Sequence, residues 1–212
     1  MNKNISEQDV NGLFAPLLKQ GCTIVTSEEI DGLDHIRDEE RTSLRHATPK
    51  RRTEFLTGRE CAHLALQRLH RDGPVLRGHD GAPIWPEGIV GSLSHCPTLS
   101  VAAVDFDYKH TTLGVDVEED SPLPQAAFEA VFSLAEQESD RQLTAVETKA
   151  CFCAKEAVFK AYNASKYIGD CRRVTIRLKP DGIFNASTDR FHCSGQWTHF
   201  GHLIAAMTMV PA

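Results

Sequence analysis

The sequence predicts an α+β fold built from two similar halves, each a helix packed with a small sheet. A helical hydrophobic pattern covers residues 49–71 and again residues 147–163, and strand-like apolar runs follow each of them. Residues 91–95 (GSLSH) line up with residues 195–199 (GQWTH), and each segment leads into a small apolar strand. This repeat predicts a cleft between the halves, and clefts between subdomains are favoured ligand sites.

The first half has one helix and two strands that can be assigned. Residues 1–50 have a mixed pattern and predict no clear element. The helix from residue 49 ends before residues 72–74 (DGP), and a loop rich in Gly and Pro follows. Strands are expected near residues 89–94 and 99–106, and the polar residues after them, 107–112, could link the two halves.

The second half begins with a strand in which Val115 and Val117 alternate with acids. Two prolines then break the chain, and Ser133 with Glu136 resembles a capping box that opens a helix. The remaining expected elements are the helix over 147–163, a strand near 173–178, a turn at 180–182 and a strand near 202–209.

Composition bounds the class of protein. The net charge of -6 argues against a nucleic-acid partner, and no apolar run approaches the length of a membrane span. Residues 1–4 lead into polar sequence, so no secretory signal is expected. The seven cysteines are irregularly spaced and contain no C-x-x-C pair, which favours buried thiols in a reducing compartment. We therefore expect a cytoplasmic protein.

Arg59 is the first charged residue in an unexpected place. At 100° per residue it lies in the apolar stripe of the first helix, close to Phe55 and Leu66. A guanidinium on the core side needs an anion, because an unpaired buried charge is costly. The anion is either a structural carboxylate or a ligand phosphate. Arg51 lies upstream in a basic cluster, which on its own is typical of a solvated face.

Glu156 is the matching anomaly in the second helix. It lies between Phe152 and Phe159 on the apolar stripe, with Lys155 before it and Lys160 four residues after it. An ordinary surface pair between Glu156 and Lys160 is one interpretation. The flanking phenylalanines favour an inward carboxylate, which would be neutral, paired or bound to a cation.

Asp116 and Glu118 lie two residues apart, so a strand places both carboxylates on one face. Hard oxygen ligands of this kind suit magnesium, which often completes its shell with substrate phosphates and water. The alternative is the polar side of an edge strand. A third acid on a nearby helix, Glu156, is what favours the metal site.

His95 follows a glycine-led strand and could contact a phosphate or carry a proton, although a structural turn histidine is the alternative. The sequence has no P-loop, no G-x-G-x-x-G, no H-E-x-x-H and no G-x-S-x-G. The common nucleotide-binding and hydrolase classes are therefore disfavoured.

Five short motifs in order resemble the 4'-phosphopantetheinyl transferases of the Sfp superfamily, of the enterobactin synthase component D type. They are residues 51–55 (RRTEF) with Arg59 and Ala62, 81–86 (GAPIWP), 91–95 (GSLSH), 114–118 (GVDVE) and 155–160 (KEAVFK). The resemblance implies two α+β halves related by a pseudo-twofold axis, each a small, mainly antiparallel sheet packed with helices. It also implies holo-[acyl-carrier-protein] synthase activity, which moves phosphopantetheine from coenzyme A to a carrier serine and releases adenosine 3',5'-bisphosphate.

The resemblance further implies a role for each matching residue. Magnesium, or manganese in its place, would be held by Asp116, Glu118 and Glu156. Glu156 would also deprotonate the carrier serine. Arg51 and Arg59 would bind the 3'-phosphate and nearby phosphates.

The remaining ligand contacts that the resemblance implies are with the bisphosphate end and the pyrophosphate. Ser94 and His95 would contact one or the other, and Lys160, with Lys155, would neutralise the pyrophosphate as it breaks. Relatives often carry a basic residue in the loop before G-x-P-x-W-P. Here Arg77 and His79 compete for that role, and we favour Arg77 as a ligand contact.

The expected organisation is one compact monomer, with residues 1–110 as the coenzyme A side and residues 111–212 as the metal and catalytic side. The expected partners are apo acyl, peptidyl or aryl carrier proteins, such as those of siderophore synthesis. Two other functions are weighed: a coenzyme A or nucleotide-binding module without transfer, and a metal-dependent phosphohydrolase.

Overall fold

The computed structural model describes residues 7–19, 21–27, 36–45, 47–138, 143–163 and 169–212. Residues 1–4, on which the expectation about an export signal rests, lie outside these ranges. The helices are α1 (Glu7–Leu18), α2 (Pro49–Arg68), α3 (Gln125–Val131), α4 (Leu134–Gln137) and α5 (Ala145–Asn163), with 3-10 turns at Glu40–Leu44 and Cys171–Arg173. None of the helices in these ranges is long and apolar enough to cross a membrane.

The described strands form three antiparallel sheets. The strands are β1 (Thr23–Ser27), β2 (Leu76–Arg77), β3 (Pro83–Ile84), β4 (Ile89–Cys96), β5 (Leu99–Phe106), β6 (His110–Glu119), β7 (Thr175–Leu178), β8 (Ile183–Ser187), β9 (His192–Phe200) and β10 (Leu203–Pro211). The strand orders are β1-β5-β4, β6-β10-β9-β8-β7 and β2-β3. Helix α2 packs on β1 and β5, and α5 packs on β6 and β10. The α+β class is confirmed.

The internal repeat is confirmed by strand register. Strand, helix and hairpin occur in the order β1, α2, β4–β5 and again in the order β6, α5, β9–β10. In the first hairpin Gly91 pairs with Val104, and in the second Gly195 pairs with Thr208, the same number of residues further along. Strand β1 pairs with β5 as β6 pairs with β10. The division of the chain at residue 110 stays a prediction.

Strict alternation along the central strands builds the core. Ala102 and Val104 of β5 pack under α2, while Val101 and Ala103 face a central cluster shared with α1, β6 and β10. Strand β6 alternates in the same way, because its Val115 and Val117 enter that central cluster. The intervening carboxylates therefore lie on the opposite face of β6, which is the face that α5 covers.

Several boundaries differ from the sequence prediction. Helix α2 ends at Arg68, because His70 adopts a left-handed conformation (φ 55°) and Arg71 N donates to Leu66 O, which closes the helix without a glycine. The predicted linker at 107–112 is shorter than expected, because residues 107–109 form a tight turn after β5 and β6 begins at His110. The capping box at Ser133 is confirmed, although it opens only a single turn of helix.

Candidate functional site

A cleft of about 590 Å³ lies between the two halves, bounded by α2, the β2–β3 hairpin, β4, β6 and α5. It brings together most of the residues that the sequence singled out for ligand, metal or proton chemistry. The predicted residues that line it are Arg51, Arg59, Arg77, Ser94, His95, Asp116, Glu156 and Lys160. Glu118, Lys155 and His79 do not line it.

Three arginines, Arg51, Arg59 and Arg77, form the basic wall of the cleft, and Arg59 is the buried one. Its side chain stacks 4.3 Å from the Phe55 ring centroid, and Nη2 donates to Leu76 O at 3.4 Å. Burial is the main reason that the pKa of Arg59 is lowered to about 10; the Glu40 charge opposes this shift, and the charges of Arg51 and Arg77 add to it. Among the described residues, no carboxylate lies within salt-bridge distance of Arg59 and no group accepts from its buried Nε. A structural salt bridge therefore does not explain its burial.

Glu54 is a cleft residue that the sequence reasoning missed. Its Oε2 lies 3.1 Å from Arg51 Nη1 and 3.2 Å from His95 Nε2, so one carboxylate holds two of the predicted phosphate contacts. Burial lowers the pKa of His95, and the Glu54 charge opposes that effect. The spacing of Arg51 and Glu54, three residues apart on a helix, was a signal that could have indicated the pair.

Asp116 of β6 and Glu156 of α5 form the acidic wall of the cleft, and a glycine allows these two elements to approach each other. A Cβ atom on Gly114 of β6 would lie 1.9 Å from Ala157 O of α5, so only glycine permits this approach of strand and helix. Thr112 Oγ1 donates to Ala161 O at 2.7 Å one turn further along the helix. The contact places Lys160 Nζ 3.1 Å from Val115 O on β6.

Asp116 lies at the centre of the acidic wall and is buried. Its Oδ1 accepts from Ser94 Oγ and from Lys160 Nζ, both at 2.7 Å. Its Oδ2 is buried as well, and none of the described residues donates to it. The same serine joins the two sheets, because Val117 N donates to Ser94 Oγ at 3.4 Å. The carboxylate thus has one satisfied oxygen and one that lacks a donor.

The other two acids have pKa values shifted upward. Burial raises the pKa of Glu156, and the nearby Asp116 charge raises it further; Cys171 Sγ donates to Glu156 Oε1 at 3.5 Å. Burial and Asp116 raise the pKa of Glu118 to about 7, although Lys149 Nζ lies 3.5 Å from Glu118 Oε2. The repulsion between neighbouring carboxylates is reduced when one of them takes up a proton or when they bind a cation.

Lys155 is the one predicted ligand contact that the structure turns away from the cleft. Its side chain is fully buried, and Nζ donates to Glu136 Oε2 at 2.7 Å and to Val131 O at 3.2 Å. The ammonium also lies 4.9 Å from the Phe132 ring centroid. Lys155 therefore ties α5 to the segment of α3 and α4, a placement that does not support direct contact with a ligand in the cleft.

The three acids named for magnesium are not gathered into a ready ligand set. Among the described residues, no group of three or more His, Cys, Asp and Glu side chains is arranged to hold a metal ion. Asp116 and Glu156 line the cleft, whereas Glu118 lines an adjoining cavity of about 320 Å³. The donor chemistry nevertheless suits a hard cation, because Asp116 Oδ2 is buried without a donor in the described part of the chain.

Comparison with known proteins identifies the class. Residues 39–105 match the family model of the 4'-phosphopantetheinyl transferase N-terminal domain, and residues 112–207 match that of the 4'-phosphopantetheinyl transferase superfamily. The chain belongs to this superfamily, as the resemblance predicted.

Three relatives illustrate the similarity. The chain is 42% identical over 156 residues to 4'-phosphopantetheinyl transferase Svp of Streptomyces mobaraensis, over 70% of this chain and 63% of that protein. It is 34% identical over 151 residues to 4'-phosphopantetheinyl transferase Npt of Nocardia iowensis, over 68% of this chain and 67% of that protein. Enterobactin synthase component D of Escherichia coli K12 is 34% identical over 123 residues, 56% of this chain and 58% of that protein. The chain thus spans about three fifths of the length of these relatives.

Proposed function

We propose that this protein transfers 4'-phosphopantetheine from coenzyme A to a serine of an apo carrier protein and releases adenosine 3',5'-bisphosphate. One observation carries the proposal: a buried arginine without a carboxylate partner among the described residues and a buried carboxylate oxygen without a donor there face the same cleft. A ligand that carries phosphates and a cation would satisfy both. Membership of the superfamily supports this assignment.

The basic wall would bind the phosphates of coenzyme A. Arg59 is pre-positioned by its stacking on Phe55, and Arg51 and Arg77 converge on the same region. Guanidinium groups bind phosphate strongly, since each bond is charge-assisted. Ser94 and His95 lie where this wall meets the acids and would contact the bisphosphate end or the pyrophosphate.

Magnesium, or manganese in its place, is the cation that the acids fit. Asp116 and Glu156 would hold it from the cleft, and Glu118 would join them from the neighbouring cavity. Bound there, the ion would supply Lewis-acid stabilisation of charge on the pyrophosphate.

The chain's own residues would complete the chemistry. Glu156 would accept the proton of the carrier serine hydroxyl as the serine oxygen bonds to the β-phosphorus of coenzyme A and the pyrophosphate bridge breaks. The pKa of Glu156 is raised toward neutral pH, and a general base is more effective when its pKa lies near the working pH. Lys160, held against Val115 O and Asp116, would donate to the pyrophosphate oxygens as charge develops on the leaving bisphosphate.

The partners and the compartment follow from the same assignment. Acyl, peptidyl or aryl carrier proteins are the proposed acceptors, and the similarity to enterobactin synthase component D favours siderophore synthesis. All seven cysteines are free, which supports a reducing compartment, the cytoplasm. We propose a monomer as the working unit.

Release of adenosine 3',5'-bisphosphate tests the reaction class. The protein is incubated with coenzyme A and magnesium, with and without a panel of apo carriers, and the nucleotide product is quantified. Release that depends on a carrier is the expected result. Release without any carrier would indicate a phosphohydrolase, and binding of coenzyme A without release under either condition would indicate a binding module.

A further inference from the structure

We propose that Glu54 is an internal competitor for the phosphates of the ligand. Its carboxylate engages Arg51 and His95, so that a phosphate that binds these two residues must displace it. This inference rests on the proposed function and adds a role in setting affinity for the substrate and, above all, for the product.

The contacts of Glu54 come from two separate elements. Arg51 Nη1 reaches Oε2 from the preceding turn of α2 at 3.1 Å, and His95 Nε2 reaches the same oxygen from the end of β4 at 3.2 Å. Lys50 Nζ lies 4.0 Å from Oε1. The contacts with Lys50 and Arg51 lie within α2, as in an ordinary surface pair, whereas the contact with His95 joins the same carboxylate to β4.

Arg51 and Arg59 of the basic wall therefore differ in whether a carboxylate already occupies them. No carboxylate among the described residues lies within salt-bridge distance of Arg59, which is open to an incoming anion. Arg51 already has an anion, and the Glu54 side chain that supplies it is only 20% exposed. A phosphate that binds Arg51 would face this carboxylate at close range, where like charges repel.

The structure provides space for Glu54 to withdraw. Glu54 and His95 line both the main cleft and the adjoining cavity of about 320 Å³, which Lys50 and Glu118 also line. Rotation of the Glu54 side chain toward Lys50 would keep a cationic partner while it frees Arg51 and His95. Substrate and product share the adenosine bisphosphate group, so a competitor at this point would weaken both and would speed product release.

The test is equilibrium binding of adenosine 3',5'-bisphosphate to the intact protein by calorimetry at low and high ionic strength. We expect Glu54→Gln to bind it about five-fold more tightly than the unmodified protein at low salt, with a smaller gain at high salt. Glu54→Asp keeps the charge and should stay close to the unmodified protein. Glu60→Gln is the matched control, because it removes one charge from the same helix but does not line the cleft.

Steady-state kinetics provide a second measurement. Glu54→Gln should lower KM for coenzyme A and strengthen inhibition by the bisphosphate, without raising kcat. Equal or weaker bisphosphate binding by a folded Glu54→Gln, or the same gain in Glu60→Gln, overturns the inference while leaving the proposed function intact. If the unmodified protein binds neither coenzyme A nor the bisphosphate, both the inference and the proposed function are wrong.

Discussion

Gly114 and Ala157 approach so closely that a Cβ atom on the glycine would lie 1.9 Å from the alanine carbonyl oxygen. This single contact sets the distance between β6 and α5. It thereby places the ammonium of Lys160 2.7 Å from Asp116 Oδ1. The acidic wall of the cleft depends on a residue that carries no functional group.

Gly114→Ala is therefore expected to push α5 away from β6. Because the obstructing atoms belong to a helix backbone, we expect the free energy of unfolding to fall by about 3 kcal/mol, at the upper end for overpacking, and transfer activity to be lost. Urea unfolding and the transfer assay measure both effects. Gly58→Ala is the control for stability, since nothing beyond the local backbone of its own helix lies within 4 Å of the added Cβ; a similar loss of stability there would contradict the account.

Arg59→Met tests the unpaired guanidinium. The substitution removes a buried charge that no carboxylate of the described chain pairs with, so the free energy of unfolding should be unchanged or higher. Affinity for coenzyme A should fall by about 10- to 100-fold, the value of one or two charge-assisted bonds. Calorimetry measures the affinity. Arg52→Met, an exposed position of the same helix outside the cleft, should bind coenzyme A normally.

Lys155→Met tests whether that lysine is structural. Its loss leaves Glu136 without the ammonium 2.7 Å away, so we expect the free energy of unfolding to fall by about 2 kcal/mol. Affinity for coenzyme A should not change, because Lys155 lies outside the cleft. Lys160→Met should instead weaken coenzyme A binding, and it should also lower the free energy of unfolding, because it leaves the buried Asp116 carboxylate without the ammonium 2.7 Å away. A marked loss of coenzyme A affinity in a folded Lys155→Met would restore its predicted role in ligand binding.

The burial and hydrogen bonds of Glu40 predict that the stability of the protein depends on pH. Burial disfavours its charged form, but bonds from His63 Nε2 (2.9 Å), Val75 N (2.7 Å) and Arg37 N (2.9 Å) hold the pKa of Glu40 below its ordinary value of 4.5. A carboxyl group whose pKa is lower in the folded state stabilises the fold above its unfolded pKa. That stabilisation is lost as the pH falls through the folded pKa.

Glu40→Gln should accordingly lower the free energy of unfolding by about 1–3 kcal/mol at pH 7. The difference between the two proteins should shrink below the ordinary pKa of the carboxyl group, as Glu40 itself becomes protonated. Urea unfolding at a series of pH values measures this. A difference that stays constant down to strongly acidic pH would contradict the assignment.

The sequence predicted the inward orientation of Arg59 and Glu156 because helical periodicity fixes direction without knowledge of the partner. It predicted the common face of Asp116 and Glu118 because strand alternation does the same. The sequence did not predict the orientation of a side chain that is set by a contact with a residue distant in sequence. Lys155 neighbours Glu156 in sequence, but its partner Glu136 lies on another helix.

The parts of the fold that were missed have a similar cause. Strand β8 has only five residues, too few to establish a period, and strand β9 carries few apolar residues and is exposed at both ends, so its periodicity is weak. Strand β1 is only five residues long and depends on its pairing with β5. The end of α2 depends on a left-handed His70, a conformation that the residue type does not predict.

The most direct test of the account is the intact mass of an apo carrier protein after incubation with coenzyme A, magnesium and this protein. We predict that at least one carrier of the panel gains the mass of a single phosphopantetheine group on its serine. Glu156→Gln should retain the fold and coenzyme A binding measured without magnesium, yet lower the rate of this gain by about 100-fold or more. No gain on any carrier with the folded, unmodified protein, or an unchanged rate with Glu156→Gln, would contradict the account.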